Sequence, residues 1–247
     1  MFPIIDVRGN VIAFGGRIMT DQKPKYLNTS DTPVFSKSNN LFSLNNAKKN
    51  QDRTLILCEG YMDVIAVNQA GFQNAVATLG TALTSQQASV MKRYADDVII
   101  CYDADEAGQK ATQRAIGILR RTGLNIRVLT VPDGKDPDEF IRKHGDNGGA
   151  AFYNLVNGSF NDVDYQLSKV RKKYDLKLAD QRVKYVNEAI NIIAKIDDDV
   201  ERDVYSSKLA DETGVHTESI SSSLKRVRSK IKYSNRKEEF RKIRTNL

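Results

Sequence analysis

Two stretches of the sequence, Leu55-Ile-Leu-Cys-Glu-Gly60 and Val98-Ile-Ile-Cys-Tyr-Asp-Ala-Asp105, share one pattern: a short apolar run that ends directly in acidic residues. Each run is followed by a helical pattern, at about 62–69 and 106–121. Apolar strands separated by helices are typical of a parallel sheet that is buried on both faces. The sequence therefore predicts an α/β fold around these two stretches.

The rest of the chain differs from this region on both sides. Strands are predicted at 2–8 and 11–16, then a long polar loop at 20–50, and further strands at 75–77 and 125–131. Strand signals end near residue 148, and helical patterns follow at 148–156, 161–174, 179–195, 199–212 and 216–231. We therefore predict four parts, at 1–50, 51–147, 148–232 and 233–247, the last a charged linker or tail.

Composition excludes several classes of protein. The chain has no run of about 18 apolar residues, so no membrane span is expected. Its start does not resemble a signal peptide. Two cysteines, Cys58 and Cys101, can form neither a disulfide framework nor a zinc cluster, which favours a reduced, cytoplasmic setting.

The net charge of +7 is unevenly spread along the chain. Residues 225–247 hold ten Lys and Arg against two Glu, and residues 1–53 hold eight Lys and Arg against four Asp. Residues 54–224 hold 20 basic and 25 acidic side chains. Carboxylates that hold divalent cations, beside cations that hold phosphates, would give an acidic centre with basic flanks.

Three acidic clusters follow the predicted strands: Glu59, then Asp103 with Asp105, then Asp136 with Asp138. Ligand sites of open parallel sheets lie beyond the carboxyl ends of the strands, so these side chains are expected to converge. Converging carboxylates repel one another unless cations compensate, and hard oxygen ligands suit Mg²⁺ or Mn²⁺. Two such ions can clamp the attacking and leaving oxygens of a phosphoryl transfer.

Each cluster also has a plainer interpretation. Glu59 could be a surface residue before a helix, and Asp103 and Asp105 could cap the helix that begins at 106. The Asp136-Pro-Asp138 segment could be simple turn chemistry. Capping and metal binding are compatible, and the order of the three clusters favours a metal site over three unrelated coincidences.

The same residues resemble a Toprim domain, the metal-binding module of bacterial primases, topoisomerases and some nucleases. Glu59-Gly60 is similar to its glutamate motif and Asp103-Ala-Asp105 to its Asp-x-Asp motif. The flanking segments resemble bacterial DnaG-type DNA primases in particular. They are Met1-Phe-Pro-Ile4, Phe14-Gly-Gly-Arg17, Pro24-Lys-Tyr-Leu-Asn28, Glu59-Gly-Tyr-Met-Asp63, Ala77-Thr-Leu-Gly-Thr81, Tyr102-Asp-Ala-Asp-Glu-Ala-Gly108 and Leu129-Thr-Val-Pro-Asp-Gly-Lys-Asp-Pro-Asp138.

The resemblance implies a Toprim-type parallel sheet flanked by helices, with a partial basic N-terminal α+β subdomain and a C-terminal helical bundle. The implied activity is synthesis of short RNA primers on single-stranded DNA, in which a primer 3′-hydroxyl attacks the α-phosphate of an NTP. It implies two or more Mg²⁺ or Mn²⁺ ions, and no zinc in this chain. Expected partners are the DNA template, NTPs and the RNA primer, with a replicative helicase for a full-length primase; we expect a monomer with no membrane partner.

By the same resemblance, Glu59, Asp103 and Asp105 are the expected catalytic and metal-binding residues, and Asp136 and Asp138 extend the metal site. Asp63, one helical turn after Glu59, could also face the metals or lie on the helix surface. The expected NTP or template contacts are Arg17, Lys25, Asn28, Lys37, Gly80 and Thr81, with Tyr26 as a further candidate. The alternative for the lysines is solvated loop positions, and for Gly80 and Thr81 a simple tight turn.

Other functions remain open at this point. A Toprim nuclease would cleave DNA with the same carboxylates, and a non-catalytic nucleic-acid-binding fragment would keep the fold but not bind metal. A topoisomerase needs a nucleophilic tyrosine in a further domain, for which the C-terminal half offers no room. Compared with a whole primase, the chain is expected to lack the zinc-binding and helicase-binding domains.

Overall fold

The computed structural model describes residues 1–19, 25–132 and 136–245, with side chains as far as residue 233. Pro24 and residues 133–135, which belong to two of the motifs above, lie outside this range. The chain divides into two compact units, Met1–Asp162 and Val163–Leu247. The four-part division stays a prediction.

The first unit begins with a small antiparallel sheet of β1 (Phe2–Ile5), β2 (Val11–Arg17) and β3 (Tyr26–Asn28), in that order. The turn between β1 and β2 is stabilised by Asp6, whose carboxylate accepts the backbone N–H groups of Arg8 and Asn10 at 2.8 and 2.9 Å. β3 and a short helix, α1 (Leu44–Ala47), lie in the segment that we predicted as loop.

The main sheet contains five strands in the order β5-β4-β6-β7-β8. They are β4 (Thr54–Cys58), β5 (Ala75–Ala77), β6 (Asp97–Cys101), β7 (Asn125–Val128) and β8 (Phe160–Asn161). The first four are mutually parallel, which confirms the predicted sheet, and β8 pairs with β7 in the antiparallel sense. The prediction of no strand beyond residue 148 is wrong: β8 has only two residues, both exposed, and leaves no apolar run in the sequence.

Five helices accompany this sheet: α2 (Tyr61–Gln69), α3 (Ser85–Tyr94), α4 (Glu106–Leu119), α5 (Pro137–Lys143) and α6 (Gly148–Asn157). The central strands are buried on both faces, since Ile56 and Ile99 on one face and Leu55 and Leu57 on the other are at most 1% exposed. The Asp136-Pro-Asp138 segment, for which simple turn chemistry was the plainer alternative, forms the start of α5. Proline takes the first helical position, where its missing N–H costs nothing.

The second unit is helical, as predicted, with α7 (Asp162–Arg171) leading into α8 (Ala179–Ile193), α9 (Asp199–Thr213) and α10 (Thr217–Thr245). Its core contains Tyr185, Ile190, Ile193, Leu209 and Ile220. The backbone of α10 stays helical as far as Thr245, through the segment predicted as a linker or tail. Among the described residues, no helix combines the length and apolar character that a membrane crossing requires.

Candidate active site

The acidic residues meet because β4 and β6 are neighbours in the sheet. Cys58, the last residue of β4, pairs in register with Cys101, the last residue of β6. Glu59 and Asp103 therefore leave the same edge of the sheet. The backbone N–H of Asp103 donates to Oε2 of Glu59 at 3.4 Å, a long hydrogen bond that joins the two strand ends. This is the edge where ligands of open parallel sheets bind.

An open cleft of about 390 Å³ lies at this edge and is called the acidic cleft below. Within the part of the chain that the structure describes, five carboxylates and three cations line it. The carboxylates are Glu59, Asp63, Asp103, Asp136 and Asp138, and the cations are Arg17, Lys25 and Arg142. The structure thus brings together most of the predicted acidic residues and places positive charge in the same cleft.

Asp63 lies on α2 with its carboxylate in the acidic cleft, and the side chain is only 9% exposed. The alternative of a helix-surface carboxylate is therefore wrong. Its Oδ2 accepts the backbone N–H of Gly60 at 3.0 Å, which closes the first turn of the helix. Burial, followed by the negative charges of Asp103 and Asp136, raises the pKa of Asp63 to about 7.

Asp103 carries the observation that most directly indicates a bound cation. Its Oδ1 is buried and has no hydrogen-bond partner among the described residues. Burial, followed by the charges of Glu59, Asp136 and Asp105, raises the pKa of Asp103 to about 6. A buried carboxylate oxygen without a donor is costly, and a divalent cation would satisfy it while restoring the ionised form. The donor set, all carboxylate oxygen, fits Mg²⁺ or Mn²⁺.

Protein side chains alone do not complete such a site. In the described part of the chain, no three His, Cys, Asp or Glu side chains are placed to hold one ion together. Magnesium usually retains several waters and takes one or two carboxylates together with substrate phosphates. The arrangement therefore fits an ion that is held jointly by the protein, water and a phosphate-bearing substrate.

Asp105 has a structural role that its neighbour Asp103 lacks. Its Oδ1 accepts the backbone N–H of Gly108 at 2.8 Å and caps the N-terminus of α4, and Asp105 does not line the acidic cleft. A β-carbon on Gly108 would lie 2.2 Å from the carbonyl oxygen of Asp103. The helix therefore starts directly against the strand end, which only glycine allows. The capping interpretation is correct for Asp105, and its role as a metal ligand stays a prediction.

Asp136 and Asp138 enter the cleft from the start of α5. Asp136 caps this helix by accepting the backbone N–H of Glu139 at 2.7 Å. Asp138 forms an ion pair with Arg142 one helical turn later. Sequence reasoning missed Arg142, although an acidic and a basic residue spaced by four on a helix is a recognisable signal.

The N-terminal sheet supplies the basic side of the cleft. The Arg17 guanidinium lies 5.6 Å from the ring centroid of Tyr26 on the neighbouring strand. Asn28 uses its amide within the protein: Oδ1 accepts from the Tyr61 hydroxyl at 2.7 Å, and Nδ2 donates to the Leu79 carbonyl at 3.2 Å. Lys25 is exposed and free to reach a ligand in the cleft.

The other predicted contacts lie in different places. Lys37 does not line the acidic cleft; its backbone N–H donates to Asp31 and its carbonyl accepts from Gln87. Gly80 lines the cleft with φ at 74°, a left-handed conformation that favours glycine. Thr81 lines a neighbouring cavity instead.

Three family models match successive parts of the chain. A model described as "DNA primase catalytic core, N-terminal domain" matches residues 1–48, and one described as "Toprim-like" matches residues 56–141. The third, "DnaB-helicase binding domain of primase", matches residues 163–218. This last match differs from our expectation that a helicase-binding domain lies outside the chain.

Known primases resemble almost the whole chain. A curated DNA primase of Clostridium acetobutylicum is 48% identical over 221 residues, which are 89% of this chain and 36% of that protein. The chain thus spans about a third of the length of that relative. A solved DnaG primase catalytic domain bound to ssDNA is 33% identical, with a TM-score of 0.74, and the match covers 89% of this chain and 70% of that one.

A DNA primase domain from Pseudomonas aeruginosa gives a similar result. It is 35% identical with a TM-score of 0.76, and the match covers 93% of this chain and 71% of that one. The similarity therefore extends over the N-terminal sheet, the acidic edge of the main sheet and the helical unit together. The chain belongs to the bacterial DnaG-type DNA primases.

Proposed function

We propose that this chain forms the nucleotidyl-transfer centre of a primase, which synthesises short RNA primers on single-stranded DNA. The observation that supports this most is the acidic cleft, which brings five carboxylates, the buried Asp63 among them, into one space with Arg17 and Lys25. Carboxylates suit divalent cations, and Arg17 and Lys25 suit phosphates. An incoming nucleoside triphosphate with its metal ions carries both kinds of partner.

In the proposed reaction the 3′-hydroxyl oxygen of the strand end forms a bond to the α-phosphorus of the NTP. The bond from that phosphorus to the β-phosphate oxygen breaks, pyrophosphate leaves, and the hydroxyl proton passes to solvent. Glu59, Asp63 and Asp103 would hold the ions, with Asp136 and Asp138 beside them. Bound Mg²⁺ would neutralise charge on the attacking and leaving oxygens, as in other two-metal sites.

The basic residues would orient the triphosphate. Lys25 is exposed at the cleft, and Arg17 is held over Tyr26, so both present cations to the same space. Fixed cations beside a transferring phosphoryl group lower the barrier by positioning and by charge stabilisation. Asn28 would act mainly by holding the N-terminal sheet against α2.

The proposed partners follow from the relatives. A related catalytic domain has been solved with single-stranded DNA, which supports a single-stranded template for this chain. The match of residues 163–218 to a helicase-binding model supports a contact between the helical unit and a replicative helicase. Divalent cations, NTPs and an RNA product complete the proposal.

The proposal is tested by primer synthesis on single-stranded DNA with labelled NTPs and Mg²⁺ or Mn²⁺, compared with Glu59→Gln. We expect short RNA that disappears in the variant, while Lys195→Ala in the helical unit retains wild-type synthesis. DNA cleavage without RNA would instead indicate a Toprim nuclease. Absence of both activities, together with no calorimetric Mn²⁺ binding, would indicate a non-catalytic fragment.

A further inference from the structure

A second cavity adjoins the acidic cleft on the other side of Glu59. It measures about 330 Å³, and Glu59, Thr78 and Gly80 line both cavities. Arg114 of α4 also lines it, so it is called the Arg114 pocket below. Its volume is at the lower end of the range, about 300–1,000 Å³, that is usual for small-molecule sites.

The walls of the two cavities differ in chemistry. Besides the three shared residues, the Arg114 pocket is lined mainly by apolar groups, which are Ala82, Leu83, Tyr102, Ala111 and Ala115. Arg114 is the one cation that lines it within the described residues. The described lining of the acidic cleft, by contrast, includes three cations.

Arg114 is available to a ligand. Its side chain is exposed, and within the described residues it forms neither an ion pair nor a hydrogen bond. Thr81, from the loop that follows β5, lines the same pocket and adds a hydroxyl. One cation and one hydroxyl over an apolar floor match a single phosphodiester that is attached to a sugar and a base.

We propose that the Arg114 pocket binds the terminal nucleotide of the growing RNA strand, while the acidic cleft binds the incoming triphosphate. This assignment rests on the function proposed above. A triphosphate carries several negative charges and suits the cleft with three cations, whereas a strand end carries one phosphodiester charge and more apolar surface. Because both cavities share Glu59, the two reacting groups would meet at that carboxylate.

A steady-state experiment separates the two cavities. Extension of a short RNA annealed to DNA is measured while either the RNA–DNA duplex or the NTP is varied. We expect Arg114→Ala to raise the KM for the annealed RNA about tenfold and to leave the KM for NTP within about twofold. Arg114→Lys keeps the charge and should recover part of the loss.

Two further variants sharpen this experiment. Arg121→Ala removes an exposed arginine that lines neither cavity and should change neither KM. Ala111→Leu narrows the apolar wall without removing charge, and should also raise the KM for the annealed RNA. A rise in the KM for NTP instead, or no change with either pocket variant, would overturn the assignment.

Photo-crosslinking tests whether the RNA 3′ end binds in the Arg114 pocket without requiring catalysis. An RNA with 4-thiouridine at its 3′ end is annealed to DNA, irradiated with the full chain, and the modified peptide is identified. Adducts within residues 81–83 or 111–115 support the pocket, and adducts only elsewhere in the chain, or none, overturn it. If the wild-type chain makes no RNA but crosslinks within residues 111–115, the proposed activity fails and the binding site stands.

Discussion

The Tyr61 hydroxyl donates to Oδ1 of Asn28 at 2.7 Å, and Nδ2 of the same amide donates to the Leu79 carbonyl. One side chain of the N-terminal sheet is thereby bonded to α2, which carries Asp63, and to the loop that carries Gly80. The basic and acidic sides of the cleft are held at a fixed separation by this amide. Asn28 therefore acts mainly by positioning the two sides of the cleft.

Tyr61→Phe removes one hydrogen bond from this junction and leaves the ring packing intact. We expect the free energy of unfolding to fall by about 1 kcal/mol, since Asn28 Oδ1 loses its partner. We also expect the KM for NTP to rise more than kcat falls, because the two sides of the cleft are no longer held together. Chemical denaturation and steady-state kinetics measure the two effects.

The matched control is Tyr153→Phe, because Tyr153 is 57% exposed and lies on α6, away from this junction. Tyr153→Phe should leave both the free energy of unfolding and the KM for NTP unchanged. Equal losses in the two variants would show that removal of a phenol, rather than loss of the Asn28 contact, causes the effect.

Asp63 makes the stability of the metal-free chain depend on pH. Its pKa is raised from 3.8 to about 7, so the folded state binds a proton more tightly than the unfolded state. Protonated Asp63 therefore stabilises the folded chain fully below pH 4, and this stabilisation is lost as the pH rises to about 7. Across this pH range the free energy of unfolding falls by about 4 kcal/mol at most.

Asp63→Asn should therefore be more stable than the wild type above pH 7 in EDTA and similar to it near pH 4. Asn keeps the oxygen that accepts the Gly60 N–H, so the helix start is preserved. Thermal unfolding across this pH range measures the effect. A variant that is less stable than wild type at pH 8 would contradict it.

Divalent cations should bind with release of protons. The pKa values of Asp63 and Asp103 are raised to about 7 and about 6, and a cation binds their ionised forms. The affinity for Mn²⁺ should therefore fall as the pH is lowered from 8 to 5.5. Calorimetry in buffers of different ionisation enthalpy measures both the affinity and the number of protons released.

The same measurement on Asp103→Asn supplies the comparison. This variant should lose most of the Mn²⁺ affinity and part of the proton release, while its affinity for single-stranded DNA stays nearly unchanged. An undiminished Mn²⁺ affinity would show that Asp103 is not a metal ligand.

Gly108→Ala should disturb the acidic edge through the backbone. Its β-carbon would lie 2.2 Å from the Asp103 carbonyl oxygen, so either the strand end or α4 must shift. We expect a loss of about 2 kcal/mol or more in the free energy of unfolding and a weaker Mn²⁺ affinity.

Gly117→Ala in the same helix provides the control. A β-carbon there meets nothing within 4 Å, and the exchange should raise the free energy of unfolding by up to about 1 kcal/mol. If the free energy of unfolding rose in both variants, the close approach at Gly108 would not limit the size of the side chain there.

Sequence reasoning could predict that Glu59 and Asp103 meet, because each follows an apolar strand and parallel strands end at one edge. It could not decide whether Asp63 faces the metal site or lies on the helix surface. A spacing of four from Glu59 places it on one helix face, but only packing within the first unit decides that this face is buried. Asp105 shows the same limit, since a carboxylate before a helix fits both a cap and a ligand, and the structure shows the cap.

The register of β4 against β6 has a consequence for chain length. Strand hydrogen bonds, and not the intervening segment, fix Cys58 beside Cys101 and hence Glu59 beside Asp103. Loops between the two strands can therefore gain or lose residues without separating the two acids. A single residue inserted within β6 would instead turn its later side chains to the opposite face and remove Asp103 from the site. Insertions are thus tolerated in the connections and excluded from the strands themselves.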